Sequence, residues 1–206
     1  MTVREELLLK MYDQMFNDIN RHIMVVWQSI GVVVGAFAIF ALVEKKVVSL
    51  DIAASIVLLL CAWLLAHLFD AAYWYNRNLV IIANIERQFL KHDDLKNIHY
   101  YFGKHRPNNK MIEHLRIQQR LGLGLSMLVL IYHFFDRVFP GFCASLSNFD
   151  PARAMPYVVV IIAILYLRNL WSHTNTKYDE FLNNSPGIKV KTNGFNYGVG
   201  HGHENR

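Results

Sequence analysis

Cysteine is scarce in this chain: Cys61 and Cys143 are the only two in 206 residues. That excludes a disulfide framework and a cysteine-built structural zinc site. Charge is thin as well, at 18% of residues, where a soluble domain carries roughly 25%. Proline numbers only five, and the stretch from Asp51 to Phe102 holds neither proline nor glycine. The sequence also lacks a Gly-x-x-x-x-Gly-Lys-Ser/Thr phosphate loop, His-Glu-x-x-His, Gly-x-Ser-x-Gly and Cys-x-x-Cys. Gly198, Gly200 and Gly202 have the spacing of a nucleotide loop, but no strand precedes them and no helix follows. The expectation is a non-enzymatic protein with no cofactor and no resident metal.

What the sequence has in excess is apolar residues, 53% of the chain, gathered into long runs. A bilayer core about 30 Å thick needs roughly 20 apolar helical residues. Ile23–Val43 meets this without a charge, and Ile52–Phe69 follows with His67 as its ionisable member. Leu121–Phe139 carries His133, Asp136 and Arg137 toward its end, and Ala154–Trp171 is the weakest run because Arg168 interrupts it. Arg168 can snorkel toward the interface. The fold class expected is all-α, a polytopic membrane protein with four transmembrane helices.

Lysine and arginine set the orientation. Three precede the first run, nine lie in the central segment 70–120, and five follow Leu167. The two short loops 44–51 and 140–153, with their flanks, hold two each. Seventeen against four places both termini and the central segment in the cytoplasm, in a cell inner membrane. The formal charge of +5 therefore reads as a topology signal, and nucleic acid is not an expected partner. The first run starts after 22 mixed-charge residues with no short apolar region or small-residue cleavage site, which suggests an uncleaved anchor.

Residues 1–22 read as a cytoplasmic amphipathic helix, with Leu8, Met11, Tyr12, Met15, Phe16 and Ile19 at helical spacing. The second run is expected to continue as helix to Lys91, since no breaker intervenes, and the central segment then forms a cytoplasmic helical hairpin. Arg106-Pro107-Asn108-Asn109 supplies its turn. Residues 172–206 read as a largely disordered cytoplasmic tail, Gly-, Asn- and His-rich toward its end.

Three constellations stand out. Gln28, Gly31, Gly35 and Ala38 share one helix face, and glycines four apart let two helices approach closely. The face implies either self-association or packing within the chain, and Gly122, Gly124 and Ser126 pose the same choice. His67 with Asp70, and His133 with Asp136, are His-x-x-Asp pairs on one helix face, candidates for proton sensitivity. They lie near opposite membrane surfaces, too far apart for a shared metal. At the hairpin tip, Tyr100, Tyr101, Lys104, His105 and Arg106 combine cations and aromatics suited to a small anionic ligand or a cytoplasmic protein. His92, His99, His105 and His114 are too irregularly spaced for zinc.

These features favour an oligomeric signalling or effector subunit in the lipid bilayer, whose cytoplasmic hairpin senses a ligand or partner and controls membrane permeability. The alternatives are an ion or proton channel with the His-Asp pairs at its mouths, and a scaffold subunit of a membrane complex.

Overall fold

A computed structural model describes residues 1–90, 94, 108–143 and 150–185. Among these residues the chain is all-α, with no strand: α1 (Val3–Ile23), α2 (Val25–Glu44), α3 (Leu50–Phe89), α4 (Glu113–His133) and α5 (Met155–Asn183). Four helical stretches are long and apolar enough to cross a membrane: Trp27–Glu44, Leu50–Phe89, Glu113–Phe142 and Pro151–Asn183. The chain forms two compact units. Among the described residues, a span unit takes those of 24–70 and 111–172, and a second unit those of 1–23, 71–110 and 173–185.

Local chemistry accounts for the helix ends. Thr2 Oγ1 accepts from the Glu5 backbone N–H at 3.2 Å while Glu5 Oε2 accepts from Thr2 N–H at 2.7 Å, a reciprocal capping box opening α1. α2 closes in a Schellman turn: Lys46 N–H donates to Val43 O at 2.9 Å and Val47 N–H to Leu42 O at 3.0 Å. Lys46 takes the left-handed conformation this turn requires, at φ 59°. Ser49 caps α3 by accepting from Ile52 N–H at 3.3 Å. With no proline or glycine inside it, α3 then runs unbroken for 40 residues.

α4 does not continue as a regular helix to the end of its apolar run. It passes into a π-helical turn at Phe134–Val138 and a 3-10 turn at Phe139–Cys143. A second 3-10 turn, Pro151–Ala154, leads into α5. α5 extends to Asn183, so the helix continues through residues 172–183, beyond the apolar run that ends at Trp171. The reason is a buried stripe, Thr174, Tyr178 and Leu182, recurring every four residues.

In the span unit α3 is the central helix. Half of its most apolar window is buried, against 6% of the corresponding window of α5. Ala54, Val57, Cys61, Leu64 and Leu68 form its packed face. Gly122 of α4 comes close to that face: a Cβ there would lie 3.6 Å from Leu64 and from Leu65. Buried Ser29 of α2 donates to Gln118 of α4 at 2.5 Å, a polar tie of the kind that associates helices in lipid. Outward lie Trp27, Ile30, Val34 and Phe37 of α2, Met127 and Leu128 of α4, and Ile161, Ile162 and Leu165 of α5. Apolar exposure on this scale suits lipid as the solvent and is rare on a soluble monomer.

The second unit packs around Val80, Tyr178 and Leu182, with Tyr73 and Phe181 at the edge. Arg77 lies between two rings, 5.0 Å from Trp74 and 5.3 Å from Phe181. Three asparagines tie the segment before α4 to the helices. Asn76 Nδ2 donates to Asn109 Oδ1 and to Lys110 O, both at 3.0 Å, and Asn109 Nδ2 donates to Asn175 Oδ1 at 3.2 Å. Tyr12 of α1 donates to Glu86 of α3 at 3.0 Å. Burial first, and then the Glu86 carboxylate, push the Tyr12 phenol above its ordinary value.

Candidate functional site

The span unit carries a buried polar network at the start of α3. Asp51 sits in the first turn of that helix, where unpaired backbone N–H groups favour a negative charge, and it is 1% exposed. Its carboxylate collects donors from the far end of α4. Arg137, on the π-helical turn, donates Nε to Asp51 Oδ1 at 3.1 Å and Nη2 to Oδ2 at 2.8 Å, a two-pronged guanidinium–carboxylate pair.

His133, completely buried, places Nε2 at 2.8 Å from Asp51 Oδ1 and Nδ1 at 3.2 Å from the Tyr157 hydroxyl of α5. The consistent neutral arrangement has the Tyr157 O–H donating to Nδ1 and the Nε2–H donating to Asp51. Adding a proton at Nδ1 reverses only the Tyr157 hydrogen bond, and the Asp51 contact survives.

The network extends through Asp150. Its Oδ1 accepts from Ala152 N–H at 3.0 Å, capping the 3-10 turn before α5. Its Oδ2 accepts from Arg137 Nη2 at 3.1 Å and lies 3.9 Å from Arg153 Nε. The paired groups are thus two carboxylates and two guanidiniums, and the Asp136 carboxylate also acts on Arg137 through its charge. Hydrogen bonds and charge link the start of α3 to the end of α4 and the start of α5. No grouping of three or more His, Cys, Asp or Glu side chains able to hold a metal occurs among the described residues.

The site residues expected from sequence fall differently. His133 does not pair with Asp136, which is exposed; the π-helical turn after His133 carries Arg137, not Asp136, to Asp51. His67 packs edge-on against Trp63, ring centroids 4.5 Å apart, while Asp70 is exposed. His67 lies sixteen residues along α3 from Asp51, so the rise of 1.5 Å per residue puts it ~24 Å from the network.

On α2, Gln28, Gly31 and Ala38 are exposed and Gly35 is half-buried. A Cβ on Gly31 would meet nothing within 4 Å, and one on Gly35 only Leu60 Cδ1 at 3.8 Å. The helix packs within its own chain through Ser29, Val32 and Ala36 instead. Gly122 packs within the chain, as described above, whereas Gly124 stands open. Tyr100, Tyr101, Lys104, His105 and Arg106 lie outside the described residues.

Asp51, Arg137, Asp150 and Tyr157 were not apparent as site residues from the sequence. The available signals were an acid two residues after a Ser cap at the head of a long apolar run, and Asp-Pro as a helix-start pair. Compared with protein-family models, with curated proteins and with solved structures, the chain matches none.

Proposed function

We propose that the protein is a non-enzymatic, multi-pass subunit of the cell inner membrane, with both termini in the cytoplasm, that self-associates through α2. In this reading it acts as a signalling or effector subunit, and its cytoplasmic residues sense a ligand or partner and control membrane permeability. The observation that carries it is the Gln28–Gly31–Ala38 face. Its small residues are left uncovered by the chain's own helices, and a polar Gln at membrane depth gains a partner when a second copy covers it.

A second reading, a proton-sensitive channel, is favoured by buried His133 between Asp51 and Tyr157. Protonation of an imidazole in that position would change the charge of the network.

Gly31→Leu tests the first reading. Because no other described side chain or helix lies within 4 Å of the added Cβ, the fold should survive while the face is blocked. The expected result is a smaller particle mass by light scattering in mild detergent, with unchanged helical content. Induced cells carrying the variant should also lose any depolarisation, read by a voltage-sensitive dye, that the parent causes. A particle mass unchanged by Gly31→Leu would overturn self-association through α2.

A further inference from the structure

The second unit contains a cleft of about 500 Å³ lined by α1, α3 and the end of α5, within the size range of small-ligand sites. Its wall is aliphatic: Leu8 and Met11 from α1 and Ile81 and Ile85 from α3, with Phe181 of α5 as the aromatic. Met11, unbranched and adaptable, can follow the shape of a flexible chain. At one end of the wall stand Arg4 and Gln88, with Arg4 Nη2 donating to Gln88 Oε1 at 3.0 Å. Asn84 and Ser185 close another side, joined to each other at 2.8 Å.

The charge at this cleft is one-sided. No carboxylate lines it among the described residues. The acids nearest Arg4 in sequence are engaged elsewhere, Glu5 with Thr2 in the helix cap and Glu6 with Lys10 at 2.8 Å. Arg4 therefore has a neutral amide as its hydrogen-bond acceptor, and its positive charge stands beside an apolar wall. A guanidinium recognises a carboxylate through two parallel hydrogen bonds, and one guanidinium balances one negative charge. An aliphatic wall with a single cation at its end matches a single-chain acid.

We infer that this cleft binds a free fatty acid, its chain along Leu8, Met11, Ile81 and Ile85 and its carboxylate on Arg4. The inference names a ligand for the sensing step proposed above but does not depend on self-association, which is read separately by particle mass.

The test uses the full chain in phosphatidylcholine nanodiscs with a diazirine-bearing dodecanoic acid and the matching dodecanol, and maps the photolabel by peptide mass spectrometry. Label from the acid should fall on α1 and α3 residues of the cleft, about tenfold above label from the alcohol, as the loss of a charge-assisted pair implies. Arg4→Gln, a surface change, should erase that preference while leaving the alcohol's weak label in place. Met11→Trp, which fills the cleft, should reduce both. Equal labelling by acid and alcohol, an acid preference that survives Arg4→Gln, or label confined to the outward faces of the spans would overturn the inference.

Discussion

Neutralising Asp51 should be the most damaging single change to the span unit. Asp51→Asn removes a side chain that is 2% exposed and that receives two hydrogen bonds from Arg137 and one contact from His133. Removing one partner of a buried ion pair typically costs 3–5 kcal/mol, roughly, because the other charge stays buried without compensation. Arg137 is relieved in part, since its side chain is 31% exposed and it keeps Asp150 at 3.1 Å. The expected loss is therefore near the lower end, about 3 kcal/mol, or about two orders of magnitude in the unfolding equilibrium. Arg137→Met should cost less, about 2 kcal/mol, because the Asp51 carboxylate keeps its contact with His133 at 2.8 Å.

The double variant, Asp51→Leu with Arg137→Met, replaces the ion pair by apolar groups and should lose far less than the two single losses added together. The assay is reversible unfolding in mixed dodecylmaltoside and SDS micelles, followed by far-UV circular dichroism. Additive losses, or an Asp51→Asn loss below about 1 kcal/mol, would refute the view that these charges form one buried, coupled network.

Further outcomes follow from single positions. Lys46→Gly should stabilise the protein by about 0.5–1 kcal/mol in the same titration, because glycine adopts the left-handed conformation at the end of α2 without a Cβ penalty. Gly122→Ala should be neutral or mildly stabilising, its Cβ seating at contact distance from Leu64 and Leu65, whereas Gly122→Ile should cost about 1–3 kcal/mol by forcing α4 away from α3. Tyr178→Ala should cost about 3–5 kcal/mol. Its hydrogen-exchange protection should be lost around residues 73–82 while the amides of residues 53–65 stay protected.

The four long apolar helices were legible because bilayer thickness sets a run length that few other structures need. The run Ile23–Val43 anticipates α2, and the run from Ile52 lies within α3. The unbroken course of α3 followed from the missing proline and glycine. Which face of α2 packs was not legible: the helix is apolar nearly all round, so periodicity cannot separate Gln28 from its neighbour Ser29. The partner of His133 escaped for a different reason. An i, i+3 rule assumes regular α-helix, and the backbone after His133 is a π-helical turn. Asp51 lies 82 positions from His133, and only the arrangement of the chain brings them together. The helical extension of α5 was hidden because Thr174, Tyr178 and Leu182 are too few and too mixed in polarity to stand out from the polar sequence around them.

The π-helical turn at Phe134–Val138 is the place where the network tolerates a change in chain length. In an α-helix one residue advances about 100° around the axis, so the loss of one residue rotates everything after it by that angle. Deleting Phe135 would let the turn relax to ordinary α-helix at little cost to the backbone. A π-helical turn holds about one residue more than an α-helical one, so the two changes largely cancel and Arg137 would stay near the side that faces Asp51. The same deletion earlier in α4 would rotate Gly122 or His133 off the surface of α3 instead. This five-residue stretch thus acts as a phase adjuster, setting the angular offset between the part of α4 that packs on α3 and the part that delivers its charge.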